Sequence, residues 1–275
     1  MNSPAHEIQR EKREAVDRAF SKQSSRYDHE DFSNPILQAM RQQTYAHLRR
    51  FLEPKSSILE LNAGTGIDAL HLARLGHHVH ATDVASGMIQ QIESKIATEE
   101  IGGRITCQQL SYDELQHVNG QEFDYVFSNF GGLNCTEDLS SVAVHLPGLL
   151  RPGGHVTWVI MPPVYLWELM WFFKGYGKKA FRRLRRDGVL AHVEGEYINT
   201  FYHSLAVIKR ALGPKFILVE NEGLCAVLPP PSRGDFPAKH PGIYKILQRV
   251  DALVRSSYPF NRCADHIIVT FKRVS

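Results

Sequence analysis

Short apolar runs alternate with amphipathic, helix-length segments through the middle of the chain. The apolar runs predict strands over 57–61, 78–83, 104–110, 123–128 and 155–161. Between them, apolar residues recur at helical spacing over 67–75, 87–95 and 139–150. Strands that alternate with helices predict parallel β-α-β units with right-handed crossovers, and therefore an α/β protein with a doubly wound sheet.

Both ends of the chain depart from this alternation. The N-terminal residues predict a charged helix that ends near Ser24 and Ser25. A second helix is predicted from Asn34 and Pro35, because Asn caps free N–H groups and Pro suits a first turn, and Pro54 stops the run. Later in the chain the pattern predicts helices over 204–212 and 242–254, strands over 215–220 and 266–272, and irregular insertions over 162–200 and 225–262. We therefore expect a mostly parallel, seven-stranded sheet whose late insertions form a cap over one end.

Composition places the chain among ordinary globular proteins. Hydrophobic residues make up 43% of the 275 residues and charged residues 22%, and the formal net charge of +3 is too balanced to imply a nucleic-acid partner. No stretch approaches the ~20 apolar residues that span a bilayer, and the first residues carry no apolar signal sequence. The four cysteines form no C-x-x-C pair. These features predict a cytoplasmic protein with free thiols.

A glycine-rich turn carries the first sign of a ligand. The segment from Glu60 to Gly66 reads Glu-Leu-Asn-Ala-Gly-Thr-Gly, follows the first predicted strand and leads into a helix. Asp83 ends the second strand, 19 positions after Gly64, where a carboxylate can accept hydrogen bonds from both hydroxyls of a ribose. The turn and Asp83 together predict an adenosine-type nucleoside at the carboxyl edge of the sheet.

The glycine spacing alone also fits a dinucleotide, since Gly64-x-Gly66-x-x-Ala69 matches that fingerprint. Glu60 favours S-adenosylmethionine instead, because a carboxylate four residues before the first glycine can meet the ammonium group of that ligand. A pyrophosphate at the helix N-terminus would be repelled by an acid nearby. An NAD(P)-dependent oxidoreductase of Rossmann type remains the alternative if Glu60 is incidental.

Four motifs in order resemble the class I S-adenosylmethionine-dependent methyltransferases of small-molecule type. They are the glycine turn, Thr82-Asp-Val-Ala-Ser-Gly-Met88, Phe123-Asp with Ser128-Asn129, and Arg151-Pro-Gly-Gly154. The resemblance covers roughly 57–161 and returns from 204 to the end. It implies a Rossmann-like methyltransferase fold with three parts. These are an N-terminal helical segment over the cofactor (1–55), an S-adenosylmethionine-binding core (56–161), and the remaining sheet with its substrate-binding lid (162–275).

The resemblance also implies which residues hold the cofactor. The glycine turn would cradle the methionine portion, Asp83 would hold the ribose, and Met88 would pack on adenine. The full implied set is Tyr27, Glu60, Asn62, Ala63, Gly64, Gly66, Asp83, Val84, Met88, Ser111, Tyr112, Asn129 and Phe130. Two positions depart from the family: Asn62-Ala63 replaces a Gly-Cys or Gly-Ser pair, and Ser111-Tyr112 replaces Asp-Ala. The usual acid at the adenine amino group is then missing unless Asp113 substitutes for it.

The reaction would be an in-line methyl transfer to the oxygen or nitrogen of a small, hydrophobic or aromatic acceptor. Ser128-Asn-Phe-Gly131 stands where methyltransferases of DNA-base amino groups carry an Asn/Asp-Pro-Pro-aromatic motif, which argues against DNA. Candidate acceptor contacts are Asn134, Tyr165, Trp167 and Tyr202, and His203 is the candidate base. The aromatic residues between 165 and 173 could equally form the lid's own core.

A dense basic run, 174–186, follows those aromatic residues. It predicts a solvated helix face, a peripheral contact with an anionic membrane, or an entrance for acidic acceptors. Together with a pI of about 8.6, it is also what supports an RNA methyltransferase as the remaining alternative. His77, His78 and His80 predict no metal site, because neighbouring residues of a strand face opposite sides and no acid or Cys stands at ligand spacing.

Overall fold

The computed structural model describes residues 4–101, 103–118 and 122–274. Seven strands form one sheet in the order β3-β2-β1-β4-β5-β9-β8. The nine strands are β1 (Ser57–Leu61), β2 (His78–Asp83), β3 (Ile105–Gln109), β4 (Phe123–Ser128), β5 (Leu150–Ile160), β6 (Val189–Val193), β7 (Glu196–Thr200), β8 (Phe216–Leu224) and β9 (His266–Arg273). The first five strands run parallel, and β9 lies antiparallel between β5 and β8. The predicted doubly wound, mostly parallel sheet is confirmed.

Eleven α-helices accompany the described strands. They are α1 (Pro4–Ser33), α2 (Pro35–Leu48), α3 (Ile67–Arg74), α4 (Ser86–Thr98), α5 (Ser140–Ala143), α6 (Leu146–Leu149), α7 (Leu166–Leu169), α8 (Gly177–Ala180), α9 (Leu205–Leu212), α10 (Phe236–Lys239) and α11 (Pro241–Val254). Asn34 caps α2 as predicted, since its side chain accepts hydrogen bonds from the N–H groups of Ile36 and Leu37. None of these helices combines the length and apolarity that crossing a bilayer requires.

Both faces of the sheet are covered. Leu59 and Leu61 point into one apolar cluster and Ile58 into the other, so alternate residues of β1 serve opposite sides. A strand buried on both faces needs a continuous apolar run, which explains why β1 was visible in the sequence. The four cysteines are free, as predicted.

Three elements differ from the sequence prediction. α1 continues through Ser24 and Ser25 to Ser33, because the Ser24 hydroxyl donates to the Ser21 carbonyl and so fits inside a helix. The predicted helix over 139–150 divides into α5 and α6, and Pro147 of α6 has no N–H to continue the ladder. The insertion 162–200 contains an unpredicted hairpin, β6–β7, whose turn residues Glu194 and Gly195 both adopt positive φ.

α1 lies across the carboxyl edge of the sheet, against α4 and β7. The helices approach so closely that a Cβ on Gly87 of α4 would stand 2.8 Å from the Ser21 backbone. Asp17 of α1 accepts hydrogen bonds from the Ser86 N–H and from the Ser21 hydroxyl. Lys95 of α4 pairs with Asp28 at 2.6 Å. The N-terminal helix is therefore tied over the edge where the glycine turn lies.

Candidate active site

The glycine turn connects β1 to α3 through left-handed backbone. Asn62, Gly64 and Gly66 have φ values of +46°, +56° and +77°. Glycine adopts this region without strain, and Asn tolerates it better than most residues. A Cβ on Gly66 would also stand 2.9 Å from the Ile92 side chain of α4. The turn therefore requires glycine at 66 both for its conformation and for its contact with α4.

Asp83 ties the end of β2 to this turn. Its Oδ2 accepts a hydrogen bond of 2.8 Å from the Gly64 N–H, and its Oδ1 accepts one of 2.9 Å from Ala85. Burial raises the pKa of Asp83 to about 6, although these backbone bonds oppose the rise. A carboxylate oxygen can accept more than one hydrogen bond, so Asp83 can still receive hydroxyl donors.

Glu60 is buried at the end of β1 and one of its oxygens, Oε2, lacks a hydrogen-bond partner among the described residues. Burial raises its pKa well above the usual value, and the negative charge of Asp68 adds to the effect. A buried carboxyl with an unpaired oxygen is costly unless a donor meets it. An ammonium group is the complementary partner.

The sequence reading missed a buried ion cluster beside the turn. Arg41 of α2 pairs with Asp31 at 2.7 Å and also with Asp68 of α3. Asp68 further accepts hydrogen bonds from Tyr45 and Asn129. Burial raises the pKa of Asp68, but the charge of Arg41 and these hydrogen bonds outweigh that effect and keep the pKa below its usual value. Asp31 and Asp68 lie 10 and 27 positions from Arg41 along the chain, so no local motif reveals the cluster.

Arg41 is the positive side of a narrow pocket over the glycine turn. Tyr27 of α1, Gly64, Asn129 and Phe130 are among its other lining residues. The Arg41 guanidinium lies 4.6 Å from the centre of the Phe130 ring. The space measures about 30 Å³, room for one or two water molecules. Tyr27, Gly64, Asn129 and Phe130 thus meet where the sequence placed the methionine portion.

A larger cavity of about 860 Å³ adjoins the end of β2. The predicted residues Val84, Ser111 and Tyr112 line it, together with residues of α1 and of β7. Asp113 also lines it and accepts a hydrogen bond of 2.9 Å from Arg13. Met88 is buried in the first turn of α4. Val84, Ser111 and Tyr112 are therefore brought together at one cavity, whereas Met88 is not among its lining residues and its contact with adenine stays a prediction.

Asn62, a departure from the family pattern, joins the two loops of the site. Its Nδ2 donates to the Asn129 carbonyl at 3.2 Å, and its Oδ1 accepts from the Ser128 hydroxyl at 2.9 Å. A Cβ on Gly132 would stand 2.2 Å from the Asn62 amide. Asn62 and Gly132 therefore fit together, and Ala63 is buried beside them.

The predicted acceptor contacts direct their polar atoms into the protein. Both amide atoms of Asn134 bond to backbone, with Nδ2 donating to Met161 and Phe201 and Oδ1 accepting from Met161. Tyr165 Oη donates to Leu228, and Trp167 Nε1 donates to Val227. Tyr165 is also fully buried, so contact of these residues with an acceptor stays a prediction.

The two predicted residues before α9 differ in exposure. His203 is buried, its Nε2 lies 2.9 Å from the Thr136 carbonyl, and burial lowers its pKa. Tyr202 is half-buried, with the Arg183 guanidinium 5.2 Å from its ring centre. The role of His203 as a base and that of Tyr202 as an acceptor contact stay predictions.

The basic run is not a uniformly solvated face. Arg183 is buried, pairs with Glu168 at 2.9 Å and with Asp265 at 3.0 Å, and Arg182 holds the other side of Glu168. Asp265 also contacts His266 at the start of β9. The sequence analysis did not single out Glu168 or the adjacent pair Asp265 and His266, which lies far along the chain from Glu168.

One group outside the cleft has the composition of a metal site. One ring nitrogen of His47 and one carboxylate oxygen each of Glu220 and Glu222 lie within 4.8 Å of one another. Arg50 and Arg255 pair with Glu222 at 2.6 and 3.0 Å, and His47 also contacts Thr270. The carboxylates are thus already compensated, and the group links α2 to β8 and β9.

Comparison with known proteins identifies the core. Residues 58–154 match the family model described as a methyltransferase domain. No curated protein matches the chain. Among solved structures, a methyltransferase from Mesorhizobium loti shares 18% identity and a TM-score of 0.53, over 83% of this chain and 97% of that one. One from Methanosarcina mazei shares 16% and 0.56, over 82% and 96%.

A third similar structure is the 1,6-didemethyltoxoflavin-N1-methyltransferase of Burkholderia thailandensis. It shares 14% identity and a TM-score of 0.56, over 100% of this chain and 92% of that one. At such identity these structures report the fold, and the family model adds the domain's type. The chain therefore contains a methyltransferase domain over residues 58–154, on the fold that these S-adenosylmethionine-dependent methyltransferases share.

Proposed function

We propose that this enzyme transfers the methyl group of S-adenosylmethionine to an oxygen or nitrogen of a small, hydrophobic or aromatic molecule. The observation that carries the proposal is the roof over the carboxyl edge of the sheet. α1 and the β6–β7 hairpin line the larger cavity, and Tyr27 of α1 covers the narrow pocket. A roofed site suits an acceptor small enough to be enclosed, with water kept away from the sulfonium.

Residues along the carboxyl edge offer a complementary partner to each part of the cofactor. Asp83 would accept from the ribose hydroxyls, and the adenine would occupy the cavity beside Ser111 and Tyr112. The unpaired oxygen of Glu60 supplies an acceptor for the ammonium group. The guanidinium of Arg41 has five N–H donors, of which three bond to Asp31 and Asp68, so two remain for the cofactor carboxylate.

Charge at the cavity disfavours the RNA alternative. Four acids line the cavity against two bases, Lys12 and Arg13, and this excess of carboxylates would repel a phosphate backbone; the acids are Glu11, Asp113, Glu137 and Asp138. The buried Arg183 is withdrawn from the basic run that supported RNA. The Burkholderia thailandensis protein that shares this fold is described as acting on a small heterocycle, which supports the small-molecule class.

Thermal unfolding tests the cofactor assignment. A ligand at ~100 times its dissociation constant adds roughly 2.7 kcal/mol, so S-adenosylmethionine and S-adenosylhomocysteine should both raise the midpoint. NADH is the matched negative ligand, and Asp83→Ala should lose the response. Stabilisation by NADH alone would contradict the proposed site.

Methyl transfer itself is tested with labelled S-adenosylmethionine. We expect label in one or more of a panel of phenols and heteroaromatic amines, and none in total RNA. Label incorporated into RNA in place of the small molecules would overturn the proposed acceptor class while leaving the cofactor assignment intact.

A further inference from the structure

His266 occupies the edge of the sheet where methyl transfer takes place. It is the first residue of β9, and the next residue, Ile267, pairs with Ile160 at the end of β5. Because β9 runs antiparallel to β5, its first residue lies at the carboxyl edge of the parallel strands. The His266 ring stands edge-on to Phe130, with 6.1 Å between ring centres. Phe130 lines the pocket proposed for the methionine portion.

The Nε2 atom of His266 faces the turn after β4. A Cβ placed on Gly131 would lie 3.2 Å from this nitrogen. A side chain at 131 would crowd this nitrogen, and the side chains of Asn134 and Met161 lie within 3.2 Å of the same point. Within the described part of the chain, Nε2 has no hydrogen-bond partner, whereas Nδ1 lies 2.8 Å from Asp265 Oδ2.

Asp265 determines which ring nitrogen carries the proton. Burial opposes its ionisation, but His266 and Arg183 outweigh that effect and hold its pKa at about 2. An ionised carboxylate only accepts hydrogen bonds, so Nδ1 of His266 must be the donor and the neutral ring keeps its lone pair on Nε2. Arg183 binds both the Asp265 side chain and its carbonyl, at 3.0 and 2.8 Å. It belongs to the 162–200 insertion, so the lid fixes the orientation of the carboxylate.

We propose that His266 is the general base that deprotonates the methyl acceptor, with Asp265 and Arg183 as positioning residues. This proposal rests on the proposed function. The acceptor's O–H or N–H proton passes to Nε2 of His266 as the lone pair of the acceptor oxygen or nitrogen attacks the methyl carbon. The carbon–sulfur bond breaks with its electron pair going to sulfur, which leaves S-adenosylhomocysteine. The resulting imidazolium is stabilised by Asp265 and returns its proton to water.

His203, the base expected from the sequence, is less suited to this role. Its Nε2 lies 2.9 Å from the Thr136 carbonyl, an acceptor that requires the proton on that nitrogen. No carboxylate bonds to its ring among the described residues, so a charge formed there lacks the compensation that Asp265 gives His266. The neutral rings of the two histidines should therefore carry their proton on different nitrogens, Nε2 in His203 and Nδ1 in His266, and one spectrum can show both.

The experiment is ¹⁵N NMR of histidine-labelled enzyme, which needs no acceptor. We expect His266 to show a protonated Nδ1 and a bare Nε2, and Asp265→Asn to lose this preference. S-adenosylmethionine and S-adenosylhomocysteine differ by a methyl group and the positive charge on sulfur. A cation near Nε2 withdraws electron density from its lone pair, so the ¹⁵N resonance of His266 Nε2 should differ between the two complexes at one pH.

The other charges facing His266 do not differ between the two complexes. They are Asp265 immediately before β9, Arg183 with Glu168 in the lid, and Arg41, whose guanidinium lies over the Phe130 ring. His80, which bonds to Thr106 on β3, is the internal control, and its ring resonances should be the same in both complexes. Equal Nε2 resonances of His266 in both complexes, or a proton on Nε2, overturn the proposed base. Failure of both nucleosides to bind is a different result, which overturns the proposed function.

Activity gives the second readout on any acceptor that the wild-type enzyme methylates. His266→Gln should lower kcat by about 10²–10⁴-fold with little change in affinity for S-adenosylhomocysteine. The loss should shrink for acceptors that are already ionised, such as thiophenolates, because they have no proton to give. Arg183→Lys retains the charge and should recover part of the activity that Arg183→Met loses. Unchanged kcat in His266→Gln overturns the proposal.

Discussion

Asp83 and Glu60 are buried carboxyl groups whose charge depends on what faces them. Each lies at the end of a parallel strand, where the carboxyl edge meets the cofactor site. In the free protein, burial raises the pKa of both. The cofactor would supply hydroxyl donors to one and an ammonium group to the other, so binding and ionisation are linked at both residues.

The pH dependence of cofactor binding tests Asp83. Its folded pKa of about 6 lies above the unfolded value, so its contribution to stability is present at low pH and is lost as pH rises through 6. Cofactor hydroxyls prefer the ionised form, so affinity for S-adenosylhomocysteine should change in the opposite direction and fall up to about tenfold per unit below pH 6. Calorimetry at pH 5 to 8 measures it. Asp83→Asn should bind weakly and lose the change in affinity near pH 6, and a change retained there in this variant would contradict the assignment.

Glu60→Gln separates binding from stability. The amide resembles the neutral acid that burial favours, so the free energy of unfolding should change little, within about 0.5 kcal/mol. Affinity for S-adenosylmethionine should fall about tenfold or more, since a glutamine cannot neutralise an ammonium group. Fluorescence-monitored urea unfolding and calorimetry measure the two quantities. Unchanged affinity would show that the ammonium group binds elsewhere.

The insertion 162–200 combines a buried ionic centre with an exposed apolar surface. The ionic centre consists of the buried residues Arg183, Glu168 and Asp265. The Cζ atom of Arg183 lies 4.9 Å from the centre of the Tyr165 ring. Around them, large side chains remain exposed, namely Met170, Phe172, Phe173, Tyr176, Phe181 and Leu184. Of the two predicted alternatives for the aromatic residues, a lid core therefore describes Tyr165 but not Phe172 or Phe173.

Removing Arg183 tests the ionic centre. Arg183→Ala leaves Asp265 and part of Glu168 buried without a counter-charge, and should lower the free energy of unfolding by about 3–5 kcal/mol. Arg185, two positions along, pairs with Asp187 on the surface and is the matched control. Arg185→Ala should leave the urea midpoint unchanged. Equal midpoints for the two variants would show that the buried cluster contributes nothing.

The exposed apolar side chains and Lys174, Lys178 and Lys179 together predict contact with an anionic membrane. Co-sedimentation with phosphatidylserine vesicles should be weakened severalfold by Phe173→Ser and by raised salt. Leu253→Ser on α11 is the matched control, because Leu253 is 81% exposed and Phe173 80%. Equal binding by wild type and both variants would remove this expectation.

At the scale of the molecule, the sheet and the glycine turn could be predicted because each depends on local pattern. β1, β2 and β4 agree with their predicted bounds. Arg41 and His266 could not be found, because their roles come from partners brought together by folding. Arg183 and Asp265, for example, are 82 positions apart. The edge of the sheet that forms the site could therefore be predicted from the sequence. The charged residues that complete the site could not, because folding brings them together from distant positions.

The roof itself implies motion. About 30 Å³ between Tyr27 and the glycine turn holds one or two waters, far less than the methionine portion of the cofactor. α1 must therefore move outward for the cofactor to bind, or Tyr27 must rotate. The contacts that hold α1 down lie at Asp17, Ser21 and Asp28.

A reversible cross-link distinguishes movement of α1 from rotation of Tyr27. Ser21 Oγ and Ser86 Oγ are 3.3 Å apart, so Ser21→Cys with Ser86→Cys can form a disulfide between α1 and α4. If α1 must move, the oxidised protein should bind S-adenosylhomocysteine more than about tenfold more slowly, because the competent state is rarely populated. Dithiothreitol should restore the rate, and Ser21→Cys alone should bind normally under both conditions. An oxidised double variant that binds at the wild-type rate would mean that rotation of Tyr27 alone admits the cofactor.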